Sequence, residues 1–185
     1  MFLFCTGGCR SGKSEFARRW AEEWGARRVY VASAYVEGDE EMIRRIERHQ
    51  LERGKGWTTY EAAAGPWNDP ERLAAEASSK GDVLLFDCLT LWTSLCLERG
   101  CEDAEIFSLA VRLAVAFRAT GKPVVMVSNE VGMGLVPDNP LGRRFRDTVG
   151  LVNQRIAAEA DEVVFMVSGL PLYVKGGGKQ TNPWC

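Results

Sequence analysis

The chain has 185 residues, of which 46% are hydrophobic and 26% are charged, and its formal net charge is −2. This length and composition are typical of one soluble globular domain, and the mild acidic balance gives no general attraction to nucleic acid or to an anionic membrane. No apolar stretch is long enough to cross a bilayer and no secretory signal pattern is present, so we expect a cytoplasmic protein. The six cysteines show no C-x-x-C spacing, and they indicate reduced thiols rather than a disulfide framework.

Short apolar runs alternate with helical patterns along the chain. The runs have the near-continuous composition of strands covered on both faces, and they lie at 2–6, 29–33, 83–87, 123–128 and 162–167. Amphipathic helices are predicted over 40–53, 104–120 and 140–161. On the last of these helices, Leu141, Phe145, Val149, Val152 and Ile156 recur at the spacing of one face.

This alternation predicts an α/β fold of three layers, in which helices flank a mostly parallel sheet. We expect one catalytic domain over residues 1–175, with an excursion from its core over 34–82 and a flexible tail over 176–185. Functional side chains in such folds collect at the carboxyl ends of the strands. The residues that directly follow the apolar runs are therefore the first candidates for a binding site.

The segment GGCRSGKS at residues 7–14 matches the phosphate-binding pattern G-x-x-x-x-G-K-[ST] between a predicted strand and a predicted helix. Its glycines allow backbone N–H groups to point at phosphate oxygens, and the following helix adds its positive end. Lys13 supplies a charge to the β- and γ-phosphates, and the Ser14 hydroxyl is a ligand for Mg²⁺. The predicted nucleotide contacts are Gly7, Gly8, Cys9, Arg10, Ser11, Gly12, Lys13 and Ser14. A glycine-rich turn that only reverses the chain is the weaker alternative.

The apolar run VLLFD ends in Asp87, which should emerge at the carboxyl edge of the sheet. A neighbouring strand of a P-loop sheet commonly offers a carboxylate to the metal, so we predict that Asp87 and Ser14 together hold Mg²⁺. Asp87 as the N-cap of the next helix is the alternative, and both roles can hold together.

Asn129 and Glu130 follow the run PVVMVS and should also lie at this edge, where an acceptor substrate could sit. A structural role for Glu130, in capping or in pairing with Arg143 or Arg146, explains its position equally well.

His49 is the only histidine, and it lies in RRIERHQLER with Arg45 and Arg53 one helical turn away on either side. Nearby cations favour the neutral form of an imidazole, which can attack an α-phosphorus and form a phosphoramidate. Spacing alone nevertheless favours an exposed histidine on a charged helix.

From residue 2 to about residue 172 the chain resembles the bifunctional adenosylcobinamide kinase / adenosylcobinamide-phosphate guanylyltransferase family. The resemblance rests on TGGCRSGKSEFA, RRIERHQ, LLFDCLTLW and VSNEVGMGLVPDNPLGRRFRDTVGLVNQRIAAEADEVVFMVSGLPL. The last stretch is the most specific, because many folds share the P-loop.

The resemblance implies a RecA-like P-loop sheet, a homotrimer and two reactions. In the first reaction the aminopropanol hydroxyl of adenosylcobinamide is phosphorylated by ATP or GTP. In the second, GMP passes from GTP to that phosphate through a GMP-histidine, and adenosylcobinamide-GDP and pyrophosphate are formed. His49 matches the nucleophile, and Arg48 stands where several members carry a second histidine.

The guanine-nucleotide contacts of the family match a larger set of positions in this chain. They comprise the loop residues above together with Ser33, Ala34, Tyr35, Gln50, Leu51, Glu52, Arg53, Glu61 and Asp87. The implied catalytic residues are His49 and Lys13. The competing interpretations are a P-loop kinase for another small alcohol, with His49 incidental, and a nucleotide-dependent regulatory module.

Overall fold

The computed structural model describes residues 1–33 and 53–176. The strands are β1 (Phe2–Gly7), β2 (Arg28–Ala32), β3 (Trp57–Glu61), β4 (Val83–Asp87), β5 (Val124–Asn129), β6 (Glu162–Val167) and β7 (Leu170–Lys175). The helices within these residues are α1 (Lys13–Trp24), α2 (Pro70–Ser78), α3 (Leu89–Glu98), α4 (Asp103–Ala119) and α5 (Pro140–Glu159).

All seven strands belong to one sheet, in the order β3-β2-β4-β5-β1-β6-β7. Every neighbouring pair is parallel except β6 and β7, which are antiparallel. The predicted fold class is therefore confirmed: a mostly parallel sheet flanked by helices. Because β5 lies between β1 and β4, the carboxyl ends of these three strands are adjacent.

Each face of the sheet carries its own apolar layer. On one face, side chains such as Leu3, Cys5 and Val127 pack against Phe16 and Ala17 of α1. The other face packs against the remaining four helices, and its largest buried side chains include Phe4, Phe86, Trp92, Phe117 and Met126. The apolar runs of the sequence are continuous because the inner strands are covered on both sides.

The described part of the predicted 34–82 excursion belongs to the main domain, because it supplies an edge strand of the sheet and a helix that packs on it. β3 pairs with β2, and α2 packs against α4, β2 and β4. Neither β7 nor its pairing with β6 was predicted from the sequence. On α5 the predicted apolar face is buried from Val149 onward, whereas Leu141 in the first turn is 67% exposed.

None of the described helices combines the length and the hydropathy that crossing a bilayer requires. The five cysteines among the described residues are free thiols, and all of them except Cys9 are buried. The predicted helix over 40–53 lies outside the described residues except for Arg53, and the predicted tail lies outside them except for Gly176.

Candidate nucleotide-binding site

The phosphate-binding loop connects the end of β1 to the start of α1, as its sequence pattern predicts. Gly12 is the N-cap of α1 and has a φ of +94°, and a Cβ atom there would lie 3.2 Å from the Cα atom of Gly169. Gly7 has a φ of +152°, and a Cβ atom there would lie 2.6 Å from the carbonyl oxygen of Met166. The loop can therefore follow this path only with glycine at both positions.

Lys13 folds its side chain back onto the loop. Its Nζ donates a hydrogen bond of 2.6 Å to the carbonyl oxygen of Gly8 and one of 3.4 Å to Ser11 Oγ, and the residue is only 7% exposed. Burial lowers the pKa of Lys13, and the charge of Asp87 acts in the opposite direction. Phosphate oxygens would supply the compensating negative charge that this buried ammonium group lacks in the loop.

A cavity of about 730 Å³ opens beside this loop. The loop residues Cys9 to Ser14 line it, and so do side chains from the ends of the central strands and from the β2–β3 side of the sheet. The latter are Tyr30, Arg53, Trp57, Asp87, Asn129 and Glu130. Gly7 and Gly8, the first two residues of the loop, are not among the residues that line the cavity.

Asp87 is the last residue of β4 and is in register with Val127 of β5. The N-cap of α3 is Cys88, with no side-chain hydrogen bond at this helix end, so Asp87 does not cap the helix. The peptide bond between Asp87 and Cys88 is cis. Ser14, in the first turn of α1, lines the same cavity. One hydroxyl and one carboxylate form the small protein ligand set with which Mg²⁺ usually binds beside phosphates and water.

Arg53 carries a buried positive charge on the β2 side of the cavity. Its guanidinium lies 3.6 Å from the centre of the Tyr30 ring, and Nη2 donates a 3.4 Å hydrogen bond to Thr59 Oγ1. Arg53 is only 8% exposed, and its Nη1 has no hydrogen-bond partner among the described residues. Burial lowers the pKa of Arg53. A desolvated cation with an unused donor is suited to bind an anion.

The guanidinium of Arg53 stacks on the ring of Tyr30. Burial raises the pKa of Tyr30 well above its ordinary value, and the neighbouring charge of Asp87 raises it further. The phenol therefore remains neutral at physiological pH. Tyr30 and Trp57 were missed by the sequence argument, although both lie at inward positions of strands on the α1 side of the sheet.

Two other predicted contacts have different surroundings. Ser33 is 1% exposed, and its hydroxyl donates to the carbonyl oxygen of Cys88 at 2.6 Å and accepts from the Cys88 N–H at 2.7 Å. It thus ties the end of β2 to the β4–α3 turn and does not line the cavity. Glu61 is exposed at the end of β3, and its charge acts on Arg53.

The remaining predicted site residues lie outside the described part of the chain, and their roles stay predictions. They are Ala34, Tyr35, His49, Gln50, Leu51 and Glu52.

At the end of β5 the structure contradicts the predicted pairing of Glu130 with Arg143 or Arg146. Its Oε1 accepts a 2.7 Å hydrogen bond from the Gly132 N–H. Arg143 donates instead to the carbonyl oxygens of Pro137 and Asp138, and Arg146 donates to that of Gly132. Neither arginine pairs with Glu130 in the described structure.

The loop, the buried lysine and the carboxylate two strands away together define a P-loop nucleotide-binding protein of the α/β class. A narrower class follows from comparison with known proteins. The chain belongs to the cobinamide kinase / cobinamide phosphate guanyltransferase family, whose model matches residues 3–174.

Two bacterial relatives match almost the whole chain. It is 41% identical to the bifunctional adenosylcobalamin biosynthesis protein CobP of Pseudomonas aeruginosa, over 92% of this chain and 95% of that protein. It is 35% identical to the bifunctional adenosylcobalamin biosynthesis protein CobU of Salmonella typhimurium, over 95% of this chain and all of that protein. Membership of the family, predicted from the sequence motifs, is confirmed.

Among solved structures, a KaiC-like protein of Pyrococcus horikoshii OT3 has a similar fold. The TM-score is 0.54 at 14% sequence identity, and the alignment covers 97% of this chain and 80% of that one. At this identity the likeness concerns the fold alone.

Proposed function

We propose that this protein is a bifunctional enzyme of cobalamin biosynthesis that phosphorylates adenosylcobinamide and then transfers GMP to the product. The two activities are those that the family description names. The observation that carries the proposal is that one cavity holds two buried cations, Lys13 beside β1 and Arg53 over β2. A triphosphate that must react at two different phosphorus atoms needs positive charge at more than one place.

In the kinase reaction, ATP or GTP would bind with its β- and γ-phosphates in the loop. The N–H groups at the start of α1 and the Lys13 ammonium would stabilise the charge that builds up on the transferred phosphoryl group. Ser14 and Asp87 would hold Mg²⁺, which would neutralise part of the charge of the phosphates. The hydroxyl of adenosylcobinamide would be the acceptor.

In the guanylyltransfer reaction, the imidazole of His49 would attack the α-phosphorus of GTP. The nitrogen–phosphorus bond forms, the bond to the β-phosphate oxygen breaks, and pyrophosphate leaves. The phosphate of adenosylcobinamide phosphate then attacks the same phosphorus and regenerates the imidazole.

The position of Arg53 supports this assignment of His49. The two residues are four positions apart in the sequence, and four residues of fully extended chain span at most about 14 Å. Arg53 itself lines the cavity. We propose that its unused Nη1 binds a phosphate oxygen of GTP during attack, so that the nucleophile and the phosphate contact come from one segment.

Labelled GTP tests the proposal. Protein incubated with GTP that is labelled at the α-phosphate should acquire an acid-labile, alkali-stable label, and His49→Ala should abolish it. Arg99→Ala, an exposed residue at the end of α3, serves as a control that should retain the label. If no label forms on the wild-type protein while adenosylcobinamide is still phosphorylated, the chain is a kinase only.

Two further properties are proposed from the family resemblance: a homotrimer and a cytoplasmic location. Sedimentation equilibrium of the purified protein should give three times the mass of the 20.5 kDa chain. A monomer mass at micromolar concentration would contradict the trimer.

A further inference from the structure

The connection between β5 and α5 carries several strongly exposed apolar side chains. Leu135 is 96% exposed and Met133 is 79% exposed, the two largest values for big apolar side chains among the described residues. Val136 and Leu141 are 64% and 67% exposed. Contiguous exposed apolar side chains of this kind commonly mark a binding surface.

The backbone of this connection is held in place by α5. Arg146 donates a hydrogen bond to the carbonyl oxygen of Gly132, and Arg143 donates to those of Pro137 at 3.1 Å and Asp138 at 2.9 Å. Asn139 caps α5 by accepting a 2.7 Å hydrogen bond from the Gly142 N–H. The apolar side chains therefore project from a fixed backbone.

The inner end of the same connection enters the nucleotide cavity. Asn129, Glu130 and Val131 line the cavity, and the Glu130 N–H donates a 2.9 Å hydrogen bond to the carbonyl oxygen of Gly7 in the phosphate-binding loop. The Glu130 carboxylate uses Oε1 for the Gly132 N–H. Among the described residues no hydrogen bond to its second oxygen is present, so that oxygen can accept one from a ligand hydroxyl. Along this connection, a polar side chain that lines the cavity is thus followed by apolar side chains that are exposed outside it.

We propose that residues 130–136 form the acceptor subsite of the kinase reaction, an inference that rests on the proposed function. Glu130 accepts the hydrogen bond of the acceptor hydroxyl, and Met133, Leu135 and Val136 support the apolar face of the macrocycle that carries it. A macrocyclic corrinoid is too large to share a cavity of about 730 Å³ with a nucleoside triphosphate, so most of it must lie outside.

The kinase reaction at this subsite transfers the γ-phosphoryl group to the acceptor hydroxyl. The hydroxyl oxygen bonds to the γ-phosphorus, the bond from that phosphorus to the β-phosphate oxygen breaks, and the nucleoside diphosphate leaves. The hydroxyl proton passes to the carboxylate of Glu130 and later to water.

Continuity with the cavity is the reason to assign this surface to a substrate rather than to a second copy of the chain. Val131 lines the cavity, and the exposed Met133 and Leu135 follow Glu130 by three and five residues. A molecule that presents a hydroxyl to Glu130 and extends along this connection would contact them.

Three variants test the inference by kinase kinetics with adenosylcobinamide. Leu135→Ser should raise the KM for adenosylcobinamide by about 10-fold with kcat nearly unchanged, because an apolar contact made equally in the ground and transition states is lost. Glu130→Gln keeps an oxygen for the Gly132 N–H but removes the base, and it should lower kcat by about 100-fold. Leu172→Ser, which removes a 58% exposed leucine on β7, is the matched control and should change neither.

Self-guanylylation by GTP in the absence of the acceptor separates this inference from the proposed function. Loss of that label from the wild-type protein would defeat the function itself. If the label forms normally and Leu135→Ser leaves the KM for adenosylcobinamide unchanged, the acceptor subsite is elsewhere. A fall in the mass of the assembly with Leu135→Ser, at unchanged KM, would identify the surface as a subunit contact and would equally overturn the inference.

Discussion

Replacement of Arg53 should weaken nucleotide binding without lowering the stability of the nucleotide-free protein by more than a small amount. Replacing Arg53 by Met keeps an unbranched apolar side chain about as long as the aliphatic part of arginine, and it allows a sulfur–aromatic contact with Tyr30. The substitution removes a buried charge whose Nη1 has no described partner. It also removes the cation–π contact with Tyr30 and the long hydrogen bond to Thr59.

These terms can be weighed against each other. The cation–π contact contributes about 0.5–2 kcal/mol, and the 3.4 Å hydrogen bond contributes less than about 1 kcal/mol. Keeping a cation out of water costs several kcal/mol unless it is fully paired, roughly enough to offset both. We therefore expect Arg53→Met to lower the free energy of unfolding of the nucleotide-free protein by no more than about 1 kcal/mol, and an increase is equally consistent with these terms.

Nucleotide affinity should fall by a larger amount. A hydrogen bond between a guanidinium and a phosphate contributes about 1.5–3 kcal/mol, which corresponds to a 10- to 150-fold increase in the Kd for GTP. Chemical denaturation and equilibrium titration with GTP measure the two quantities. Arg27→Met, which removes an exposed pair with Asp82, is the control and should leave GTP binding unchanged.

A loss of more than about 3 kcal/mol of stability with unchanged GTP affinity would refute this reasoning. It would mean that Arg53 is a structural cation, held by Tyr30 and its neighbours for the sake of the fold.

Two further predictions concern stability. Gly7→Ala should lower the free energy of unfolding by about 1–3 kcal/mol, because the φ of Gly7 is +152° and a Cβ atom would lie 2.6 Å from the Met166 carbonyl oxygen. Gly150 lies in a helix with no atom near the position of a Cβ, so Gly150→Ala should raise the free energy of unfolding by about 0.5–1 kcal/mol. Asp161→Asn should lower it by about 1 kcal/mol at neutral pH, measured by urea denaturation. Burial acts against ionisation, but the hydrogen bond from the backbone at the start of β1 and the charge of Arg118 lower the pKa of Asp161. Its stabilisation is therefore present above the unfolded pKa of about 3.9 and lost as pH falls through the folded value, so the variant should show a flatter acid limb.

The sequence predicted the centre of this fold better than its edges. β1, β4 and β5 are buried on both faces, so their apolar runs are visible without an alignment. β3 is an edge strand that exposes two threonines and a glutamate, and β7 exposes Leu170, Leu172 and Val174 on its outer side. Such strands are stabilised mainly by pairing with a neighbouring strand, and local composition does not encode that pairing.

The site was predictable where a local pattern dictates it. The loop from Gly7 to Ser14 needs its residue types at fixed spacing, and Asp87 ends a strand whose direction is set by the sheet. The stacking of Arg53 on Tyr30 joins two segments that are 23 positions apart, and no periodicity reports such a contact. Ser33 matched a nucleotide-contact position of the family, yet its hydroxyl is engaged by the backbone of Cys88.

The proposed function requires one nucleotide cavity, with Lys13 in its phosphate-binding loop, to serve both transfer reactions. GTP labelled at the γ-phosphate and GTP labelled at the α-phosphate, given in parallel to the wild-type protein and to Lys13→Met, test it most directly. In the wild type the γ-label should reach adenosylcobinamide and the α-label should reach the protein, and Lys13→Met should lose both by about 100-fold or more. If Lys13→Met loses the γ-transfer but acquires the α-label at the wild-type rate, the two reactions use different nucleotide sites and the account is contradicted.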